Sequence, residues 1–418
     1  RESLQAARRE CLDAGHECLD LKGDVDRLTA QLLQQPAHVL VTLGVANHVV
    51  LAGARVDASL DALARGASPA TVGTLMALFA LLPAVFAVAI GRYSDRVGAM
   101  RPMLVGTLAL IASVTLPAIV PGFAALFACA ALVGFSFTLF QVPLQHLTGE
   151  LGEPRKRAKR FGLLAFAYSV SGTLGPLIAG FGIDHAGHRL TYAILALVPL
   201  VPLAVVAHGR IVLPPPTAHE RPRTASGMLD LVRYPMLRRI LMLNALFSMA
   251  WDLHTVFVPI YGAQIRLSAS EIGTVLAAFG FATFLVRGAV PWIVAHATSK
   301  QILTTALFVA AVVFCGFPFA THATVLAALS FTLGLGLGAA QPTVMALLST
   351  HAPPGRMGEV TGVRMSLLQT MAVAVPLAFG ALGTGIGLVP VFWGVGACLA
   401  TGGVAARRVA LAPRGGRA

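Results

Sequence analysis

This sequence is poor in charge. Of its 418 residues only 12% are Asp, Glu, Lys or Arg, against roughly a quarter in an average soluble domain. Acidic residues are scarcer still, 18 in all. That scarcity excludes an ordinary water-facing surface. Cysteine is almost missing too. Cys129, Cys315 and Cys398 sit inside apolar runs and Cys11 and Cys18 lie near the start, so the five form no disulfide framework. The histidines at 48, 146, 185 and 188 are scattered without metal-ligand spacing. There is no phosphate-binding glycine loop, no zinc cluster, and no nucleophile with a base beside it. The expectation is a protein that is not an enzyme and holds neither metal nor cofactor.

What the sequence has in abundance is apolar residues, 56% of the chain, with a mean hydropathy of +0.77. This composition is that of a polytopic membrane protein whose constant partner is the lipid bilayer. The net charge of +13 does not indicate nucleic acid, because the basic residues fall in short clusters between apolar segments. A spanning helix needs about 20 mostly apolar residues. Twelve stretches qualify: 38–63, 70–91, 102–120, 123–147, 161–183, 190–208, 239–262, 271–295, 301–319, 323–349, 360–383 and 388–406. Arg92, Arg96, Arg101, the run EPRKRAKR, the arginines of 210–239, Lys300, Arg356 and Arg407-Arg408 all fall on one side of these spans. The other side carries little beyond Arg65, Arg189 and Arg266. The positive-inside rule then puts both termini in the cytoplasm of a protein integral to the inner membrane.

The segment 209–238 holds LPPPTAHERPRTASG, too polar and proline-rich to pack, and separates a six-helix bundle at 37–208 from a second at 239–406. A basic tail covers 407–418. Residues 1–36 lack the form of a secretory signal. Leu4, Cys11, Cys18, Val25 and Leu32 recur every seven residues, with Ala7, Ala14, Leu21 and Leu28 between them. This is a coiled-coil seam interrupted by Gly15 and Gly23. The segment is a cytosolic or interfacial helix, either solvated against the bundle or joining copies into an oligomer.

The two bundles are repeats, related by adding 200 to a residue number. SPATVGTLMALF from Ser68 lies over SASEIGTVLAAF from Ser268. The same offset pairs Gly134 with Gly334, Gln141 with Gln341, Gly162 with Gly362, Pro176 with Pro376 and Gly180 with Gly380. One offset held across four helix pairs marks a duplicated unit. Two parallel repeats imply a pseudo-two-fold along the membrane normal and a ligand site between them near the midplane.

Between the second and third spans stands GRYSDRVGAMR, in which Gly91, Asp95, Arg96 and Gly98 are followed by Arg101. With twelve spans and a six-plus-six repeat, this loop resembles the major facilitator superfamily of secondary transporters over about residues 37–410. The resemblance implies an all-α membrane fold of two related six-helix bundles, with Asp95 latching the cytoplasmic side shut. Its partner there is the turn APPGRMGE, which supplies helix-start amides and Arg356. The glycines would let the neighbouring helices approach. Asp95 lies within reach of 355–359 if that side is closed and apart from it if open. The repeat mate PWIVAHAT lacks both the Asp and the glycines, so gating is asymmetric. The fifth span carries GTLGPLIAGFG, with Gly172, Gly175, Pro176 and Gly180. It resembles the superfamily's antiporter signature except that Ala179 replaces a glycine, and this favours export in exchange for protons over uptake.

Ionisable residues within spans are costly and need a partner or a purpose. Asp252 sits midway along the seventh span in SMAWDLHTVFVPIY, with His254 behind it. At that depth it is either a carboxyl that takes and loses a proton or one half of a fixed ion pair with Arg287 or Arg364. Arg55 falls near the same level of the first span, since its repeat mate is Thr255. Asp57 and Asp61 lie toward the extracellular mouth, where water is expected to reach them; they are solvated, neutralise Arg55 or relay protons. Arg55, Arg287 and Arg364 against three acids make an anionic or zwitterionic small molecule the expected substrate. An internally paired network would give the same pattern. Gln141 and Gln145 share a face of the fourth span, with Gln341 as repeat mate of the first. They line the cavity in the resembled family or simply bond helix to helix.

The reading is a secondary transporter, by proton-coupled export or by uptake symport of an organic anion or zwitterion. A sensor or scaffold on the same fold is the alternative of another class.

Overall fold

The structure, a computed structural model, describes residues 36–150, 157–200, 202–204, 228–353 and 356–408. The heptad segment, most of the 209–238 linker and the tail beyond Arg408 lie outside the described residues. In order, the helices are α1 (Pro36–Ala64), α2 (Pro69–Val97), α3 (Met100–Ile119), α4 (Phe123–Glu150), α5 and α6 (together Arg157–Leu197), α7 (Pro235–Gln264), α8 (Ala269–His296), α9 (Ser299–Gly316), α10 (Ala323–Gly338 continuing as Ala340–His351), α11 (Met357–Ile386) and α12 (Leu388–Arg408). Ten helical stretches are long and apolar enough to cross a membrane, one of them running through α5 and α6. With α1 they correspond to the twelve expected spans, and no strand occurs among the described residues. The 29 residues of α2 reach about 44 Å, longer than the roughly 30 Å hydrocarbon layer. Such helices project into the aqueous loops.

Between α5 and α6 the chain turns at Gly187, whose φ of 76° lies where a side chain is strained. The segment 184–189 is thus a turn outside the spans, on the face opposite the basic loops.

Hydrophobic burial gives helices in lipid no reason to associate, so small residues that let backbones touch decide the contacts. The halves meet where α5 packs on α8 and α2 on α11. A Cβ on Gly73 of α2 would strike the carbonyl of Pro376 and stand 3.1 Å from the Cα of Gly380 on α11. In the other pair, a Cβ on Gly273 of α8 would strike the carbonyl of Pro176 and stand 3.1 Å from the Cα of Gly180 on α5. Both crossings obey the offset of 200. The same register appears within the halves, where the carbonyl of Phe79 occupies the space beside Gly134 and that of Phe279 the space beside Gly334.

Candidate functional site

Beside the crossing of α2 and α11, between α1, α2, α7 and α11, lies a narrow cavity with room for little more than a water molecule. Arg55 and Thr255, repeat mates, line it together with Asp252, Met76 and Pro376. Arg55 belongs to one half and Asp252 to the other. Asp252 accepts a hydrogen bond from Ser248 at 3.2 Å. Arg55 lies 5.5 Å from the centre of the Phe79 ring, and its buried Nε has no hydrogen-bond partner among the described residues. Neither expected partner, Arg287 or Arg364, pairs with Asp252. The opposing charge beside that carboxylate is Arg55, and the two make no direct ion pair.

Polar side chains extend the site toward the basic face. His48 meets the Ser171 hydroxyl at 2.7 Å and stacks on Tyr168 with ring centres 4.7 Å apart. Tyr168 donates to the Gln141 amide oxygen. Arg287 crosses from α8 to α5, donating to the Ala165 carbonyl and to the Ser169 hydroxyl at 2.7 Å, while its guanidinium lies 6.0 Å from the Trp251 ring. Arg55 and Asp252 are the charged residues lining the cavity among the described residues, and Arg287 lies beside it against Trp251.

Other expected members lie elsewhere. Arg364 is buried and donates to Asn244 of α7 at 3.3 Å. His254 is buried against Phe279 and bonds Ser330 at 3.0 Å, so it belongs to the core of its half. Gln145 is half-buried and Gln341 exposed. Asp57 and Asp61 are not open to water: both are buried, Asp57 bonded to His188 at 2.6 Å and Asp61 to Arg65 at 2.7 Å. The turn at Gly187 folds α6 back over α1 and covers them, and neither neutralises Arg55.

The two ends of the site differ. On the face opposite the basic loops, the Asp184 carboxylate accepts hydrogen bonds from the backbone N–H groups of Ala269 at 3.1 Å and Ser270 at 2.8 Å. These are the free amides at the start of α8, where an anion is favoured. Partial burial works to raise the pKa of Asp184, but the hydrogen bonds from Ser270 and Ala269 outweigh it and hold the carboxyl below its usual range. The repeat mate of this contact is present as well: the Ala70 N–H at the start of α2 donates to the Thr384 hydroxyl at 2.9 Å. That end is closed.

At the basic face Asp95 is exposed and makes no hydrogen bond or ion pair with the described residues, while Arg356 pairs with Glu359 at 2.6 Å. Arg96 and Arg101 are exposed too. The glycines of the loop do not serve close packing here. A Cβ on Gly91 would meet only Val142 at 3.9 Å and one on Gly98 nothing within 4 Å. Gly98 instead ends α2 with a φ of 82°. In α5 the glycines do pack: the Gly172 carbonyl fills the space beside Gly280, Gly175 lies against α1, and Pro176 and Gly180 form the crossing described above.

Sequence comparison agrees with this architecture. Residues 40–376 match the family model of the Major Facilitator Superfamily. The chain is 27% identical over 327 residues to a tetracycline resistance protein, class G, of Vibrio anguillarum, covering 74% of this chain and 80% of that protein. It is 24% identical over 339 residues to the multi-drug resistance efflux pump PmrA of Streptococcus pneumoniae, covering 78% and 83%. Its fold is that of a solved POT family transporter in complex with a thioalcohol-conjugated peptide, with a TM-score of 0.74, 12% identity, and 88% and 94% of the two chains covered. It also matches the peptide transporter POT in complex with sulfate, with a TM-score of 0.73, 16% identity, and coverage of 89% and 93%. The chain is an integral membrane transporter, not an enzyme, and it belongs to the major facilitator superfamily.

Proposed function

We propose that this transporter exports a small organic solute across the inner membrane in exchange for protons, by alternating access of the cavity between Arg55 and Asp252. The observation that carries the reading is the placement of these two charges: one on each half, facing one cavity, and not neutralised by a direct ion pair. Rocking of the halves changes their separation, so a proton on Asp252 and a ligand on Arg55 are coupled to the same motion. The contacts of Asp184 and Thr384 on one face, with Asp95 free on the other, support a state open toward the basic face, which the positive-inside rule makes cytoplasmic. An exporter loads from that side. Relatives named for tetracycline resistance and multidrug efflux support the direction.

Arg55 in the cavity lining and Arg287 beside it outnumber the carboxylate of Asp252, which favours an anionic or zwitterionic solute. That excess is also the observation behind a second reading, uptake of such a solute with protons. The test is purified protein in liposomes under an imposed pH gradient, challenged with organic anions, zwitterions and lipophilic cations. Export predicts solute movement against the direction of proton flow. Movement of solute with the protons supports uptake, and the absence of net flux for every class would support a sensor or scaffold.

A further inference from the structure

Asp57 has no part in the cavity just described, and its surroundings are unusual for a carboxylate. It is completely buried, its Oδ1 meets His188 Nδ1 at 2.6 Å, and its Oδ2 has no hydrogen-bond partner among the described residues. The Tyr192 hydroxyl, one turn beyond His188, is likewise buried and unpartnered. The charged and titratable groups around Asp57 are few. On α1 there is Asp61, already engaged by Arg65. From α6 come His188 and Tyr192, and from α4 the Cys129 thiol, of which His188 is the one bonded to the carboxylate. The titratable residues of α2 and α3, Arg92 to Arg101, lie at the far end of those helices, and Asp252 of α7 faces Arg55. Among the described residues no lysine or arginine pairs with Asp57. A buried carboxylate without a cation is strongly disfavoured, so either Asp57 holds a proton itself or His188, the basic group it touches, supplies the balancing charge.

We propose that Asp57 and His188 form a proton-binding site in the first six-helix bundle, entered from the face opposite the basic loops and separate from the Asp252 cavity. The side chain of His188 is 25% exposed while Asp57 is sealed. A proton arriving from water binds Nε2, and the resulting imidazolium donates its Nδ1–H to Asp57. Loss of that proton from Nε2 to water returns neutral histidine and leaves Asp57 with a single neutral donor. Burial works against the charge on His188, but its bond to Asp57 outweighs that and keeps the imidazole above its usual pKa.

The site has a structural outlet. His188 stands four residues after Asp184 in the turn at Gly187, and Asp184 is the group that holds the start of α8. Arg189 fixes the same turn to the Ala118 carbonyl at the end of α3. An imidazolium anchored to Asp57 by a charge-assisted bond holds the turn more firmly than a neutral ring. Proton occupancy of the site therefore sets how securely the two halves are clamped on that face.

The proposal concerns protonation and the clamp, so it stands apart from substrate and direction of transport. The experiment is nitrogen NMR of the purified full chain labelled with 15N-histidine, with the His188 signals identified by their loss in His188→Gln. Both ring nitrogens of His188 are expected to be protonated at pH 7, and its midpoint to fall by at least one pH unit in Asp57→Asn. A His188 that is neutral at pH 7 in the unaltered protein overturns the site, whether or not Asp57→Asn folds. Spin labels at His185→Cys and Gln264→Cys, with the native cysteines replaced, read the clamp. Their separation is expected to broaden between pH 7 and pH 9 in the otherwise native chain, and to be broad at both in His188→Gln. Identical distributions at the two pH values overturn the link to the clamp.

Discussion

Gly73 of α2 and Gly380 of α11 lie so close that a Cβ built on either would come within 3.1 Å of the other's Cα. Gly273 and Gly180 repeat the crossing 200 residues away. The first crossing lies beside the cavity, and closure there depends on backbone meeting backbone. A valine at Gly380 would have to push against Pro69 and Gly73, neither of which has a flexible side chain to yield. Gly380→Val is expected to hold the transporter open on the face opposite the basic loops and to cut transport at least tenfold. Accessibility of a cysteine placed at Thr255 to reagents added from each side checks this. Unchanged labelling and transport would show that the crossing is not the gate.

Asp184 adds charge to that closure. Its folded pKa is depressed, so its contribution is fully present above the ordinary carboxylate value of about 3.9 and is lost as pH falls through the lower folded value. The hold on α8 is thus expected to be insensitive to acid down to about pH 4 and to weaken below it. Asp184→Ala is expected to loosen α8 already at neutral pH, seen as faster hydrogen exchange of the Ala269 and Ser270 amides. Exchange equal to the unaltered protein would leave Asp184 as a bystander.

Asp95 is free in this state and is expected to engage the 355–359 turn only when the basic face closes. Asp95→Asn should abolish transport while leaving expression and folding largely intact. Normal flux in that variant would remove the latch from the account.

Much of this was legible in sequence because of one regularity. Apolar runs located the helices, and the offset of 200 paired the glycines that turn out to cross and set Arg55 at the level of Thr255 on α7. The offset also contains Asp184 and Thr384, which answer Ser270 and Ala70 under the same rule. That pair escapes a reading that follows identical residues, because an aspartate and a threonine share only the ability to accept a hydrogen bond. The partners of Asp57 were not legible. His188 is 131 positions away, and nothing local distinguishes a histidine that will fold back over α1 from one in open solvent. The packing of His254 into its own half was hidden for a related reason: at one residue's remove from Thr255, the helix turns its side chain by about 100° and away from the cavity.

Arg55, proposed to meet the substrate, has its Nε without a partner among the described residues and its guanidinium beside the Phe79 ring. Arg55→Gln is expected to weaken binding of an anionic or zwitterionic solute about ten- to a hundredfold, the worth of a charged hydrogen bond of about 1.5–3 kcal/mol. Calorimetric titration of the purified protein checks it. Unchanged affinity would move recognition to Arg287.

If a proton on Asp252 drives solute through the cavity between the halves, as proposed, Asp252→Asn in liposomes separates the proton from the solute. An asparagine keeps the size and the bond to Ser248 but cannot exchange a proton. The predicted result is that transport driven by an imposed pH gradient disappears while exchange of labelled for unlabelled solute continues. If the variant still concentrates solute against its gradient with the normal proton dependence, Asp252 is structural and the claim is contradicted.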